Sequence, residues 1–451
     1  MNLKFRRVLP IALVFLSIIP SLFATDGYFL TGYGTKQQGQ GGAGVARPAD
    51  SLAGATNPAG LFLAGNRFDI GLTLFRPNRS ATITSPSPAA GPYDGNRVTN
   101  FELPELGYSL HYRPNLVLGV ALYGNGGLNT SYTRPIPLLG TTRGGVDIEQ
   151  SFISPTLSYK AGAHNYFGVA LNIAVQRFAA EGLQYIEFIS SNPAKVTNNG
   201  YSYSSGGGER VGRLGELNKV VSVGATYQSR TYVSKFNKYS GLFAERGEFD
   251  VPANFAGGAS VKLGSKASLL FDEECILYGS VKSIANTLDS ASPLGTDNGP
   301  GFGWHDINVS KAGFDYDVNP SLTLRGGYNH GGVPFDSSQT FFNLLAPAVT
   351  KDHLHVGATW TSTSGKEISF EYIHAFNNTV NGVNSIPPTY GGGNTNLSMY
   401  QNSFQVAFGW NKNKKYGAHE SGGERVWQPG FIGSGPGMWQ DRSSAFSYPR
   451  C

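Results

Sequence analysis

The sequence predicts an all-β fold, a 14-stranded antiparallel transmembrane β-barrel whose N-terminal segment forms a hatch, or plug, inside the lumen. Three observations lead to this prediction: an N-terminal export signal, a long series of strands with alternating side chains, and links whose lengths alternate. Glycine and aromatic residues are frequent, with 60 glycines and 12% aromatics, whereas charged residues make up only 14%. This composition is typical of outer-membrane barrels.

Residues 1–24 are predicted to be a secretory signal peptide. Arg6 and Arg7 give it a positive start, an apolar stretch follows from Val8, and a small-residue cleavage site ends at Ala24. No later stretch is long and apolar enough to span a membrane as a helix. Any membrane crossing is therefore expected through β-strands, whose backbone groups are satisfied between neighbours.

From residue 66 onwards, large apolar residues alternate with small or polar ones. In the first strand, Phe68, Ile70 and Leu72 alternate with Asp69 and Gly71. A period of two predicts strands with one apolar face, which in a barrel meets lipid while the other face lines the lumen. About fourteen candidates follow this pattern. They lie at approximately 66–75, 105–113, 115–124, 149–160, 164–178, 218–228, 231–240, 247–263, 267–283, 304–318, 320–330, 352–363, 366–378 and 400–411.

The links between these candidates alternate between short and long. Because an outer-membrane barrel has tight periplasmic turns and longer extracellular links, the alternation favours a barrel over a soluble, secreted β-protein. Tight turns are predicted at Arg113-Pro114, Gly162-Ala163, Ser229-Arg230, Gly264-Ser265, Asn319-Pro320 and Ser364-Gly365. Longer links are predicted at 76–104, 125–148, 179–217, 284–303, 331–351 and 379–399, with a shorter one near 241–246.

Two stretches depart from the alternation. In 304–318, the apolar residues change from odd positions such as Ile307 to even positions such as Phe314, which predicts a β-bulge. The acidic run Asp272–Glu274 would be costly against lipid, so we expect it near a rim or inside the barrel.

Residues 25–65, the hatch, are rich in glycine and lack strand periodicity. The literal G-x-G-x-x-G run in the hatch does not predict a dinucleotide site, because such a site needs a preceding strand and a following helix. We expect these glycines to let the backbone pack closely against the barrel wall, and we expect no cofactor. The glycines are Gly39, Gly41, Gly42 and Gly44.

Few side chains form a recognisable chemical site. His353 and His355 share a strand face, but without further ligands nearby they do not predict a metal site. Cys275 and Cys451 lie in no CxxC pattern, and we expect a structural or incidental role. An enzyme is not expected, because no nucleophile constellation is recognisable. The net charge of +5 is scattered along the chain, which disfavours a nucleic-acid partner.

Two cations and one apolar stretch are candidates for ligand contact. Arg177 and Arg325 could each attract the anionic head group of a ligand, or could pair with a carboxylate in the lumen. The link 179–217 begins with a sequence that suits a short amphipathic helix. The apolar residues of this helix would form an exposed capture groove for a hydrophobic ligand, or would pack against their neighbours. These residues are Leu183, Ile186, Phe188 and Ile189.

Four stretches of the hatch, Gly27–Leu30, Gly32–Lys36, Gly41–Val45 and Thr56–Gly60, resemble the FadL/TodX (OmpP1) family of outer-membrane transporters for long-chain fatty acids and other hydrophobic compounds. The resemblance implies capture of ligand at the outer loops and transfer to a pocket inside the barrel. It also implies that the hatch then moves and that the ligand leaves laterally beside a kinked third strand.

The resemblance assigns two motifs in this sequence. The hatch motif is Asn57-Pro58-Ala59, and the strand kink is Asn125-Gly126-Gly127. Glycines at the kink suit a strand that breaks pairing with its neighbour.

We therefore predict a passive transporter of hydrophobic molecules in the outer membrane of a Gram-negative bacterium. The alternative is a general porin for small polar solutes. The barrel is expected to span 66–411 and to be followed by a disordered tail, 412–451. The expected partners are a fatty acid or hydrocarbon ligand and the lipid and lipopolysaccharide of the outer membrane, and the expected oligomeric state is a monomer.

Overall fold

The computed structural model describes residues 26–84, 86 and 88–412. The predicted signal peptide, 1–24, and the predicted tail beyond Lys412, which includes Cys451, lie outside the described residues. Sixteen strands form one antiparallel sheet, and fourteen of them close into a barrel. The last barrel strand pairs with the first, from Arg67 opposite Asn411 to Thr84 opposite Asn394. The predicted 14-stranded antiparallel barrel is confirmed.

The barrel strands are labelled β1 to β14 in chain order. They are Arg67–Thr84, Phe101–Arg113, Leu116–Pro135, Arg143–Ala161, Asn165–Glu181, Ser202–Glu216, Val221–Gln228, Asn254–Leu263, Ala267–Ile276, Ile307–Asn319, Leu322–Gly331, Asp352–Thr361, Lys366–Val380 and Asn394–Asn411. Two short strands lie outside the ring: Gly91–Asp94 pairs with β1, and Tyr232–Val233 pairs with β6.

The links alternate around the ring, which gives the barrel a tight-turn end and a long-link end. The tight turns are 114–115, 162–164, 217–220, 264–266, 320–321 and 362–365. The long links are 85–100, 136–142, 182–201, 229–253, 277–306, 332–351 and 381–393.

One predicted strand is wrong and one strand of the structure was not predicted, so the predicted number of barrel strands is still fourteen. The segment 231–240 is mostly irregular, and β6, Ser202–Glu216, lies within a predicted link. The reason is a glycine run in β6, which hides the apolar alternation. These glycines make room for the short strand Tyr232–Val233, since a Cβ on Gly206 would lie 1.8 Å from the Tyr232 carbonyl oxygen.

The helices are short. The α-helices α1 to α5 are Thr35–Gln38, Ala53–Thr56, Leu61–Ala64, Ala244–Gly247 and Lys282–Ala285. The 3-10 helices are Pro58–Gly60, Gln184–Ile189, Pro193–Lys195, Asn237–Tyr239, Tyr278–Ser280, Ser337–Gln339, Phe342–Leu344 and Pro388–Tyr390. Among the described residues, no helix has the length and apolar character needed to cross a membrane.

The two faces of the strands differ as the alternation predicts. Large apolar side chains such as Leu72, Trp360 and Phe408 point outward and are exposed. At the long-link end, a second apolar surface fills the lumen, where Trp304 and Tyr278 pack against Tyr28 of the hatch.

This inner core explains the irregular alternation in 304–318. Odd-numbered residues point inward without interruption from Ile307 to Asp315, so the predicted bulge does not lie where the apolar alternation changes. Ile307 is apolar and inward-facing because it contacts the inner core rather than the polar part of the lumen. A register shift occurs only at the tight-turn end of β10, between Asp317 and Asn319.

Candidate functional site

The hatch glycines pack against the lumen wall and against the hatch itself. Gly41 has a φ of +75°, and a Cβ there would lie 2.6 Å from the Ala312 carbonyl oxygen of β10. Gly42 has a φ of +78°, and a Cβ there would lie 1.8 Å from the Thr31 carbonyl oxygen. Cβ atoms on Gly39 and Gly44 would meet Gly357 and Gln37 at 3.2 and 2.6 Å. Gly41 and Gly42 therefore exclude larger residues, whereas a side chain at Gly39 or Gly44 would require the Gly357 backbone or the Gln37 side chain to shift.

The hatch motif is anchored by side-chain hydrogen bonds. Asn57 Nδ2 donates to the carbonyl oxygens of Val45 in the hatch, at 2.8 Å, and of Arg213 in β6, at 3.1 Å. Asn57 Oδ1 accepts from Ala59 N at 3.1 Å and so caps the 3-10 turn. The Ser158 hydroxyl of β4 donates to the Ala59 carbonyl oxygen at 2.8 Å. The motif is therefore joined to both sides of β5.

A notch of small residues receives this motif. Ser158, Gly168 and Gly212 lie side by side on β4, β5 and β6, directly opposite one another in the ladders. A Cβ on Gly168 would lie 2.2 Å from the Pro58 carbonyl carbon, and one on Gly212 would lie 2.0 Å from Asn57 Oδ1. The notch exists because Gly168 and Gly212 lack side chains and Ser158 has a small one.

Carboxylates of the wall bind the hatch backbone. Glu105 of β2 accepts from both amides of Gly34–Thr35 at 3.2 Å, at the start of α1. Asp272 of β9 accepts from both amides of Gly44–Val45, at 2.6 and 2.9 Å. The acidic run predicted near a rim or inside thus contributes its first carboxylate to the lumen, where it binds the hatch.

Cations of the wall bind hatch carbonyl groups. Arg210 of β6 donates to the Thr56 carbonyl oxygen at 3.0 Å. Lys311 of β10 donates to the Thr31 carbonyl oxygen at 2.9 Å and pairs with Glu274 at 2.7 Å. Hydrogen bonds that involve a charged partner contribute about 1.5–3 kcal/mol each, so these contacts hold the hatch firmly in the lumen.

An ion network closes the tight-turn end. Lys36 of α1 pairs with Glu367 of β13, which also accepts from Arg67 at 2.7 Å. Arg67 pairs in turn with Asp69 at 2.6 Å, and Asp69 accepts from the Ser51 amide at 3.1 Å. Two separate parts of the hatch are thereby tied to β1 and β13, the two strands that flank the last strand.

Two carboxyl groups and one lysine of the hatch are buried. Burial raises the pKa of Asp26 to about 6, although Lys311 Nζ lies 3.8 Å away. Burial, together with nearby Asp69, raises the pKa of Asp50 to about 6. Burial and then the neighbouring Arg67 lower the pKa of Lys36. Charges in the hatch are thus costly, and the opposite charges of the wall partly offset that cost.

β2 and β3 part in the middle of the barrel. They pair from Arg113 opposite Leu116 up to Leu106 opposite Leu122 and no further. The rest of β2, 101–105, pairs only with β1. Pro104 lies in this stretch, where its missing N–H suits a strand with a free edge.

The hatch occupies the edge that β3 exposes after leaving β2. Phe29 forms an antiparallel bridge with Gly126. On either side of this bridge, Leu30 N donates to the Asn125 carbonyl oxygen at 3.3 Å, and Gly127 N donates to the Tyr28 carbonyl oxygen at 3.0 Å. The hatch therefore replaces β2 as the partner of β3 at the predicted kink.

Asn125 is the centre of the irregularity in β3. The register between β3 and β4 shifts between Gly124 and Gly126, which leaves Asn125 as an extra residue. Its side chain accepts from the Tyr33 hydroxyl at 3.1 Å and donates to Gln150 of β4 at 3.2 Å. The kink is thus coupled to the hatch through a side chain as well as through the backbone.

A Gly126→Val substitution is expected to release the hatch from β3. A Cβ at this position would lie 1.9 Å from the Tyr28 carbonyl oxygen, so the strand-like pairing with the hatch could not form. We expect the amides of Leu30 and Gly127, which donate these hydrogen bonds, to exchange hydrogen about tenfold faster, as the loss of about 1.4 kcal/mol requires. Hydrogen-exchange mass spectrometry of the purified barrel measures this. Unchanged protection would contradict the described pairing, and Gly257→Val, at an exposed position with no neighbour within 4 Å, is the control.

The two candidate head-group cations lie at opposite ends of the barrel. Arg177 points outward from β5, donates to Glu149 at 2.5 Å and stacks 4.4 Å from the Tyr201 ring centroid. Arg325 points inward near the tight-turn end, donates to Thr359 Oγ1 at 2.6 Å and lines a cavity of about 220 Å³. The structure therefore does not bring them together.

The predicted capture groove is only partly exposed. Leu183 and Ile186 are buried in the inner core, whereas Phe188 is 68% exposed and Ile189 is half-buried. The segment forms a 3-10 helix rather than an amphipathic α-helix. A cavity of about 620 Å³ nearby is lined mostly by residues with polar side chains, among them Asn192, Arg246 and Thr296.

His353 and His355 are buried in the lumen wall, with ring centroids 6.4 Å apart. Among residues 26–84, 86 and 88–412, no three His, Cys, Asp or Glu side chains are grouped so that they could hold a metal ion.

Comparison with solved structures shows where this architecture occurs. A toluene transporter of P. putida, TodX, matches with a TM-score of 0.65 and 18% identity over 84% of this chain and 99% of the other. A FadL homologue of Pseudomonas aeruginosa matches with a TM-score of 0.67 and 14% identity over 86% of this chain and 100% of the other. The toluene transporter TbuX of Ralstonia pickettii matches with a TM-score of 0.60 and 16% identity over 84% of this chain and 98% of the other. At these identities the likeness establishes the fold.

The sequence comparison establishes the family. No curated protein matches the chain. Residues 21–413, however, match the family described as outer membrane protein transport protein (OMPP1/FadL/TodX). Because this match covers most of the chain, the protein belongs to the OMPP1/FadL/TodX family of outer-membrane transport proteins.

Proposed function

We propose that this protein carries hydrophobic molecules, long-chain fatty acids or hydrocarbons, passively across the outer membrane and releases them laterally between β2 and β3. The observation that carries the proposal is the pairing of the hatch with β3 where β3 has left β2. A shift of the hatch would free that edge and leave a passage in the wall. A lateral exit into the membrane spares a hydrophobic ligand from returning to water.

Beside the parted strands, the part of the lumen that the structure describes has no room for such a ligand. The cavities beside the parted strands measure about 20 Å³ each, which is enough for about one water molecule. A cavity that holds benzene has about 150 Å³. Transport therefore requires movement, and the hatch is the element whose displacement would create the space.

Capture would begin at the long-link end. We assign the first contact to apolar residues there, among them the exposed Phe188 and the half-buried Ile189. Each buried CH₂ contributes roughly 0.8 kcal/mol, so even a few contacts extract a hydrophobic molecule from water. The Asn57-Pro58-Ala59 motif, seated in its notch, would then yield as the hatch moves.

Uptake in cells that lack their own transporter tests this function. Initial rates are measured for radiolabelled oleate, toluene and a small sugar, with and without the protein. We expect uptake of oleate, of toluene or of both to rise, while sugar uptake remains at the background rate. Sugar uptake alone would overturn the proposal and would favour a porin. Equal expression is checked in isolated outer membranes.

A further inference from the structure

Arg79 is a buried cation without a carboxylate partner. It points inward from β1 and is 1% exposed. Its guanidinium donates to the Asn129 carbonyl oxygen, to Asn129 Oδ1 at 3.0 Å and to the Val98 carbonyl oxygen, all of which are neutral acceptors. Among the described residues, no Asp or Glu forms an ion pair with it, and its Nε has no hydrogen-bond partner.

Some other buried cations of the lumen have carboxylate partners, whereas Arg210, which binds the hatch, donates to neutral acceptors as Arg79 does. Arg67 pairs with Asp69 and Glu367, and Lys311 pairs with Glu274. A buried charge is costly unless it is paired, and a guanidinium matches a carboxylate with two parallel hydrogen bonds. The surroundings of Arg79 thus provide no carboxylate for the paired hydrogen bonds to which its guanidinium is best suited.

The position of Arg79 coincides with the proposed passage. Val98 precedes β2 and Asn129 lies in the part of β3 that has left β2, so the guanidinium reaches from β1 to β3 across the parting. The Arg79 Cζ atom also lies 5.7 Å from the centroid of the Phe101 ring, at the start of β2.

An apolar site lies beside this cation. Phe75, Phe101 and Leu103 form a buried cluster on β1 and β2, and Leu30 of the hatch packs against it. One small cavity touches Arg79 and a second touches Phe75, Leu103 and Leu30. Gln401 of β14 lines both cavities, which places them next to each other.

We propose that Arg79 receives the carboxylate of an amphiphile whose apolar chain lies along Phe75, Phe101 and Leu103. The carboxylate would take over the donors that now bind Asn129 and Val98, and the chain would take the place of Leu30. The site selects long-chain carboxylates over neutral molecules of the same length. This inference rests on the proposed function and specifies its substrate class.

The test compares uptake of oleate and of oleyl alcohol, which have the same chain and differ in charge. In Arg79→Gln we expect oleate uptake to fall at least about tenfold, as the loss of hydrogen bonds to a charged group predicts. Oleyl alcohol uptake should remain within about twofold. Arg79→Lys keeps the charge and should retain the preference for oleate. Arg76→Gln, on the exposed face of the same strand, should behave as the wild type does.

The outcomes separate this inference from the proposed function. An equal loss for both ligands, or no loss for either, overturns the role of Arg79 and leaves hydrophobic transport intact. Uptake of neither ligand by the wild-type protein overturns both. Barrel closure of each variant is verified by its heat-dependent mobility in gel electrophoresis, so that a misfolded variant is not counted.

Discussion

Gly168→Val is expected to dislodge the hatch and to open an ion-conducting pore. The glycine lies in the barrel wall, where the ladders with β4 and β6 fix its backbone. A Cβ at this position would lie 2.2 Å from the Pro58 carbonyl carbon and 2.3 Å from Ala59 N. Neither side can give way by a side-chain rotation, because both atoms belong to backbone.

The cost of this clash is comparable with what the hydrogen bonds of the Asn57-Pro58-Ala59 motif supply, about 1 kcal/mol each. Overpacking of this kind costs about 1–3 kcal/mol, and the valine also prevents the hydrogen bond from Ser158 to Ala59, which contributes about 1 kcal/mol. Since the barrel ladders remain intact, we expect the hatch to leave its notch while the barrel stays folded.

Conductance in planar lipid bilayers measures the outcome. Wild-type protein should show almost no conductance, because the hatch fills the lumen, whereas Gly168→Val should show frequent open events. Gly257→Val is the matched control, since this glycine lies on the exposed face of β8 with nothing within 4 Å. A folded Gly168→Val barrel that stays as silent as the control would refute the docking notch.

Much of the barrel could be predicted because each strand faces two environments. Apolar residues on one face and small or polar residues on the other gave the correct faces for strands such as β1 and β14. The prediction failed for β6, because Gly206 and its neighbours serve a contact with Tyr232 that only the folded link creates. It also failed in β10, where Ile307 faces an inner core that no local pattern reveals.

Close packing of the hatch against the wall could be predicted from the sequence, but the residues that contact each other could not. The glycines of the hatch and the small face of the strands both indicated close packing. The partners themselves are distant in sequence: Asp272 binds an amide of Gly44, 228 residues away. Which wall residue faces which hatch residue depends on the pairing register of the strands around the closed barrel. That register cannot be read from any one strand.

The separation of β2 from β3 is easier to relate to the sequence. The family resemblance implied a kink at Asn125-Gly126-Gly127 of β3, which the two glycines suit, and the structure adds Pro104 of β2 as a second residue that suits the interrupted ladder. The alternation of side chains along β1 is enough to place Arg79 on the inward face. Its neutral partners, however, result from the separation of β3 from β2, which the alternation does not reveal.

The central claim is that the hatch must move for transport, and a reversible disulfide tests it most directly. A Cβ built on Gly54 of α2 lies 3.4 Å from the Thr156 Cβ of β4, close to the range of about 3.5–4.5 Å found in disulfides. The pair Gly54→Cys and Thr156→Cys, with Cys275 and Cys451 replaced by serine, would tie the hatch to the wall.

The measurement is the initial rate of uptake of the hydrophobic ligand that the wild type transports, before and after reduction. We expect the oxidised double variant to lose at least about nine-tenths of its uptake, because each transport event requires the hatch to leave the wall. Reduction should restore the rate, and each single-cysteine variant should transport normally. Full uptake by completely cross-linked protein would contradict the account.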